Sequence, residues 1–101
     1  ADMEKVTSLK VGPNQLTDVK GLEKLTQLTV LYLFRNQLTD VKGLENLTQL
    51  EDLHLGANKL TNVKELEKLT QLTHLKLMGN KPELRFEFIR EKANLYDNLD
   101  I

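Results

Sequence analysis

Apolar residues recur along this chain at a fixed interval of 22 residues. Each interval begins with alternating apolar and polar positions and continues with an apolar residue at every third position. Alternation predicts a short strand with its leucines on one side, and a spacing of three predicts tight turns or a 3₁₀-like helix with one edge inward. The strand columns are Leu9, Leu31, Leu53 and Leu75, followed by Val11, Leu33, Leu55 and Leu77.

The part of the interval after the strand is nearly identical in three copies. Segments 16–29, 38–51 and 60–73 read LTDVKGLEKLTQLT, LTDVKGLENLTQLE and LTNVKELEKLTQLT. One unit alone has no partner for its apolar edge, whereas stacked units pack each leucine column on the next and form a continuous core. The repeat therefore predicts a solenoid whose strands lie parallel and side by side.

Two polar or small columns mark the turns of each unit. An asparagine follows every strand, at Asn14, Asn36, Asn58 and Asn80. Because a carboxamide both donates and accepts, these side chains are predicted to form a ladder that satisfies inward-facing backbone groups. Gly21 and Gly43 share a column with Glu65, which predicts a surface turn where a positive φ is not strictly required.

The period stops after Asn80, and the last segment has a different composition. Pro82 suits the first turn of a helix, and an apolar helix face is predicted from Leu84, Phe86, Phe88, Ile89, Ala93 and Leu95. A solenoid end needs such a cap. The chain is therefore predicted to be one domain over 1–101, with a partial first coil at 1–7, repeats at 8–80 and a C-terminal helical cap at 81–101.

With these columns, the chain resembles leucine-rich repeat proteins of the 22-residue kind, such as bacterial internalins and the regulatory subunit of protein phosphatase 1. The resemblance covers residues 9–80. It implies a curved α/β solenoid with a parallel β-sheet on the concave face, short 3₁₀-like segments on the convex face, and protein ligands bound mainly on the concave side. The first coil differs, because only Met3 and Val6 take the register of Leu25 and Leu28 where such families usually bring a helical cap.

Composition narrows the range of possible partners and compartments. The 14 basic and 15 acidic residues nearly balance, so the overall charge favours neither nucleic acid nor an anionic membrane as a partner. The absence of cysteine fits a reducing compartment and slightly favours the cytoplasm, while a bacterial surface or an engineered origin stays open. No segment approaches the ~20 apolar residues that cross a bilayer, which predicts a soluble chain.

Function is predicted where the repeats differ, at the strand positions that alternation turns away from the leucine core. Tyr and Arg commonly anchor protein interfaces, and an exposed apolar patch usually has a use. The predicted partner-binding residues are Val30, Tyr32, Phe34, Arg35, Asp52, His54, His74, Lys76 and Met78. The alternative is sequence drift at solvent-facing positions that tolerate substitution.

No catalytic, cofactor-binding or metal-binding residue is predicted. A zinc site from Asp52, His54 and His74 is geometrically conceivable, but parallel side chains on a flat sheet rarely converge on one point. Asp52 beside His74 is instead predicted to be a solvated pair. The chain also lacks a glycine-rich phosphate loop and a G-x-S-x-G motif.

The sequence thus predicts a non-catalytic module that binds a protein or peptide partner on its concave sheet. The alternative is a structural, truncated or engineered repeat scaffold. In that case the apolar edge near Met3 and Val6 would mediate self-association and give a homo-oligomer.

Overall fold

A computed structural model describes residues 5–81, 84 and 93–101 of the chain. Its strands form one parallel sheet in sequence order, which confirms the predicted solenoid architecture. The strands are β1 (Ser8–Lys10), β2 (Val30–Tyr32), β3 (Asp52–His54), β4 (His74–Lys76) and β5 (Asn98–Asp100). Short 3₁₀ segments span Leu44–Asn46, Lys64–Lys68 and Ala93–Leu95.

The strand register follows the 22-residue period from β1 to β4. Leu9 pairs with Leu31, Leu31 with Leu53 and Leu53 with Leu75. A slip of one residue would turn every leucine of a strand from the core to solvent, so the apolar columns fix this register. Each strand therefore places the same positions of the repeat next to each other.

The leucine columns form the core, as the repeat predicts. Leu31, Leu53 and Leu75 are fully buried, as are most leucines of the second and third coils, which begin with β2 and β3. Leu9 and Val11 of the first coil are only partly buried and pack against this core. The best-covered part of the core thus lies around β2 and β3, the strands that carry Val30, Tyr32, Asp52 and His54 of the predicted binding residues.

The asparagine ladder is confirmed at three of its four positions. Asn36 and Asn58 are buried, and Asn80 is half-buried. Asn58 Oδ1 accepts from Leu38 N at 3.1 Å, while its Nδ2 donates to Leu33 O and Leu55 O, both at 3.0 Å. Each ladder asparagine therefore ties its own coil to the preceding one.

The prediction was wrong for Asn14, whose side chain is exposed. A ladder asparagine bonds backbone groups of the coil before it, as Asn36 does when it donates to Val11 O at 2.9 Å. Within the described residues no full coil precedes Asn14, so its carboxamide has no such groups to reach.

The turn column behaves as its composition predicts. Gly21 and Gly43 have φ values of 90° and 105°, whereas Glu65 is not among the residues with positive φ. Gly43 limits the following 3₁₀ segment to Leu44–Asn46, but Glu65 lies inside the longer segment Lys64–Lys68. The third coil thus replaces a left-handed glycine turn by an additional stretch of 3₁₀ helix.

The C-terminal segment differs from the prediction in its described part. The strand β5 was not predicted, and it extends the sheet because Leu99 pairs with Leu75. Leu95 was predicted to lie on the apolar cap face, but it is 65% exposed at the end of a 3₁₀ turn, so its assignment was wrong. Several residues named in the predictions lie outside the described residues: Pro82, Phe86, Phe88 and Ile89 of the cap, and Met3 of the first coil.

Within the described ranges, no helix is both long and apolar enough to cross a membrane.

One column after the strands adopts the left-handed conformation. Arg35, Ala57 and Gly79 of the second, third and fourth copies have φ values of 59°, 56° and 81°. A side chain with a Cβ is disfavoured there, by about 1–2 kcal/mol. Ala57→Gly is therefore expected to raise the free energy of unfolding by about 0.5–1 kcal/mol in urea denaturation.

A glycine at a position with ordinary φ provides the control for this variant. Lys59 is exposed and is not among the residues with positive φ. Lys59→Gly should lower stability slightly, because glycine only adds flexibility to the unfolded chain. Destabilisation by Ala57→Gly would contradict the strain assigned to this column.

Candidate functional site

The predicted binding residues lie on one side of the sheet and on the turns that follow it. We call outer sheet face the surface formed by the strand positions that alternate with the buried leucines. It includes the half-buried side chains of Val30, Tyr32, Asp52, His54, His74 and Lys76. Phe34, Arg35 and Met78 follow β2 and β4 and are exposed. All nine predicted residues are therefore accessible to a partner.

The structure brings Tyr32 and His54 into direct contact on the outer sheet face. They are register partners on β2 and β3, so their rings start from neighbouring positions. The ring centroids are 3.8 Å apart and the ring planes differ by 8°. The Tyr32 hydroxyl also donates a hydrogen bond of 3.0 Å to Asp52 Oδ2. These contacts hold the tyrosine in one orientation.

Asp52 pairs with His54 rather than with His74, so the predicted Asp52–His74 pair is wrong. Asp52 and His54 are two residues apart on β3 and point to the same side, and Asp52 Oδ1 lies 2.9 Å from His54 Nε2. This oxygen is buried, and its short contact with His54 falls outside good hydrogen-bond geometry. The ring of His74 instead has its Nδ1 3.0 Å from the Thr73 hydroxyl.

We call Tyr32, Asp52 and His54 the central cluster. It does not build a metal centre, because among the described residues no three histidine, aspartate or glutamate side chains are grouped where they could hold a metal ion. A cleft of about 290 Å³ lies elsewhere, lined by residues that include Leu69, Leu72 and Tyr96, and it contains none of the predicted binding residues. The outer sheet face is thus a preorganised surface rather than a pocket.

The central cluster shifts the pKa of two of its members. Partial burial lowers the pKa of His54, with Lys76 and His74 adding to the decrease and Asp52 opposing it. The hydrogen bond to Asp52, together with burial, raises the pKa of the Tyr32 hydroxyl. At neutral pH the imidazole of His54 and the phenol of Tyr32 are therefore both uncharged.

The titration of His54 tests this arrangement. In an NMR titration its ring should titrate below the ordinary value of 6.5. Asp52→Asn should lower the pKa of His54 further, because the opposing charge is removed, and Lys76→Met should raise it. A shift in the same direction in both variants would contradict the assigned contacts.

The same pKa shift has a consequence for stability. Because folding lowers the pKa of His54, the unfolded chain binds its proton more readily. The contribution of His54 to stability should be complete above pH 6.5 and decrease as the pH falls from 6.5 to the lower pKa of the folded state.

One residue of this surface was not among the predicted binding residues. Lys10 of β1 is the register partner of Tyr32, and its Nζ lies 4.9 Å from the centre of the tyrosine ring. This is within the range of a cation–π contact. The signal was present in the sequence, since Lys10, Tyr32, His54 and Lys76 occupy one column of the repeat.

The repeats of the chain match a known protein family. The family model described as "Leucine Rich repeats (2 copies)" matches residues 4–46 and 26–68. The matched ranges cover more than half of the chain, which therefore belongs to the leucine-rich repeat family. Proteins of this family generally act in protein–protein interaction, and the known relatives are typically not enzymes. No curated protein sequence gives a significant match.

Solved structures place the chain close to internalins. Internalin C2 of Listeria monocytogenes is 31% identical with a TM-score of 0.79, over 95% of this chain and 40% of that protein. A leucine-rich repeat protein of Leptospira interrogans is 32% identical with a TM-score of 0.79, over 95% of this chain and 25% of that one. Internalin F of L. monocytogenes is 31% identical with a TM-score of 0.60, over 99% and 36%. The chain thus spans well under half the length of each of these structures.

Proposed function

We propose that this chain binds a protein or peptide partner on its outer sheet face, through the central cluster and the neighbouring Phe34 and Arg35. The observation that carries the proposal is the central cluster itself. Three half-buried polar and aromatic side chains on two strands are held by a ring stack, a hydrogen bond and a close contact between His54 Nε2 and Asp52 Oδ1. A surface fixed in this way loses little side-chain entropy on binding.

The residues around the cluster add apolar area and an exposed guanidinium group. Phe34 is 36% exposed and Met78 is 56% exposed, although both are large apolar side chains. Arg35 is exposed beside Phe34. Aromatic residues, methionine and arginine are enriched where protein interfaces are most buried. The combination suits a protein or peptide surface better than a small apolar ligand, because the site is open.

We infer that the role of this face is binding rather than catalysis. The carboxylate of Asp52 is the acceptor for Tyr32 and the neighbour of His54, but these groups lie on an open sheet rather than in a cleft that excludes water. Catalytic acid–base groups act on a substrate held in a defined pose, usually in a concave pocket. The central cluster offers a rigid surface and no such enclosure.

A peptide display library panned on the immobilised chain tests the proposal. Binders recovered with the wild-type chain should bind Tyr32→Ala/Phe34→Ala about 30-fold more weakly, which corresponds to the loss of an interface anchor of ~2 kcal/mol. The matched control is Gln27→Ala/Gln49→Ala, which changes two exposed residues of the turns away from the strands. Binders that tolerate the aromatic variant but are lost in the glutamine variant would overturn the proposal.

A further inference from the structure

Four outward residues form one row across the strands. Lys10 pairs with Tyr32, Tyr32 with His54, and His54 with Lys76, on β1 to β4. We call this set the Lys10–Lys76 row. It begins and ends with an ammonium group and has two aromatic rings between them.

The rings of the row stand with their edges to solvent. Their planes are almost parallel and their centroids are 3.8 Å apart, so each ring turns its face to the neighbouring strand. The ammonium of Lys10 covers the free face of Tyr32. The edge of an aromatic ring carries positive electrostatic potential and its face carries negative potential. The row therefore presents a cation at each end and two ring edges between them.

The carboxylates near the row do not neutralise its ends. Asp52 lies in the next row and has its oxygens against Tyr32 and His54. Asp100 is the register partner of Lys76, but among the described residues neither Lys10 nor Lys76 forms an ion pair. Both ammonium groups can therefore donate hydrogen bonds to a carboxylate of a partner.

The length of the row sets the spacing of such carboxylates. Three strand intervals of ~4.8 Å separate the first and last strands of the row, which gives about 14 Å. An extended peptide rises ~3.3 Å per residue and turns alternate side chains to the same side. Residues i and i+4 of an extended peptide therefore point the same way at about 13 Å, which matches the row.

We propose that the Lys10–Lys76 row binds an extended acidic peptide that crosses the strands. Its carboxylates at i and i+4 contact Lys10 and Lys76, and an apolar side chain at i+2 lies on the ring edges of Tyr32 and His54. This inference rests on the proposed function, because it names the chemistry of the partner for the same face.

Synthetic peptides of defined spacing test the inference. The probe is a fluorescein-labelled peptide with the core Glu-Thr-Val-Thr-Glu, measured by fluorescence anisotropy at low salt. It should bind about tenfold more tightly than the core Lys-Thr-Val-Thr-Lys and than a peptide whose glutamates are at i and i+3. Its affinity should fall at about 0.5 M salt, because exposed charge pairs are then screened.

Charge reversal in the protein gives the matched comparison. Lys10→Glu/Lys76→Glu should lose the acidic peptide and gain affinity for the lysine peptide. Lys20→Glu/Lys42→Glu makes the same change in charge at two exposed turn positions and should bind like the wild type. Lys10→Gln/Lys76→Gln removes the charges without introducing repulsion, so it replaces the glutamate variant if that variant does not fold.

The outcomes separate this inference from the proposed function. Equal binding of acidic and basic peptides, or equal loss in both glutamate variants, would overturn the acidic row. If library binders still depend on Tyr32 and Phe34 in that case, the outer sheet face remains the binding site for a partner of other chemistry. A preference for single-stranded nucleic acid over the acidic peptide would also overturn the inference.

Discussion

Asn58→Ala is expected to lower the free energy of unfolding by about 3–5 kcal/mol, a large part of the stability of a domain of this size. Asn58 is buried in the third coil and bonds backbone groups of two coils. The alanine side chain can neither donate nor accept. The loss should appear as a lower midpoint in urea denaturation with little change in its slope.

The individual bonds explain this magnitude. The N–H of Leu38 has Asn58 Oδ1 as its partner, so the variant leaves a buried donor unsatisfied at a cost of ~1–3 kcal/mol. The carbonyls of Leu33 and Leu55 each keep a second donor, from Asn36 and Asn80 respectively. Their bonds to Asn58 are therefore lost at only about 1 kcal/mol each.

Asn14→Ala is the matched control, because it makes the same substitution in the same column of the repeat. The Asn14 side chain is exposed, and its backbone N–H keeps its bond of 3.3 Å to Arg35 O. The expected change is within about 0.5 kcal/mol. Equal losses in Asn14→Ala and Asn58→Ala would show that the ladder does not hold the coils together.

The repeat made the sheet and the core predictable from sequence. A strict period aligns identical positions of successive coils, so the neighbours of Leu53 follow from counting 22 residues in either direction. The same counting placed Asn36, Asn58 and Asn80 in one ladder. These predictions could be made from the period because each coil interacts chiefly with the coils next to it.

The contacts within the central cluster could not be read from the same count. The period places Asp52 beside both Val30 and His74, but side-chain length and rotamer decide which contact forms. The carboxylate reaches His54 along its own strand and receives the Tyr32 hydroxyl from the neighbouring strand. The prediction from sequence paired Asp52 with His74 because it considered only the register partner on the neighbouring strand.

The strand β5 was missed for a related reason. Leu99 follows Leu75 by 24 residues rather than 22, so it falls outside the columns of the repeat. The alternation around Leu99 is only three residues long, in Asn98–Asp100, which is too short to predict a strand without the period. A change in coil length was sufficient to hide the continuation of the sheet.

Leu53→Ala is expected to destabilise the protein by about 3–5 kcal/mol, the second large effect. Leu53 is fully buried at the middle of β3, and both of its register partners are buried leucines. Truncation removes apolar contacts on both sides and leaves a cavity that strands fixed by hydrogen bonds on either side can close only in part. Thermal and urea unfolding should both show the loss.

Leu95→Ala makes the same substitution at a leucine that is 65% exposed. It removes little buried area, so the expected change is below about 0.5 kcal/mol. The comparison also tests the C-terminal segment, since a leucine on the buried face of a cap would cost several kcal/mol on truncation. A loss at Leu95 as large as that at Leu53 would show that Leu95 is covered in solution and would restore the predicted cap face at that position.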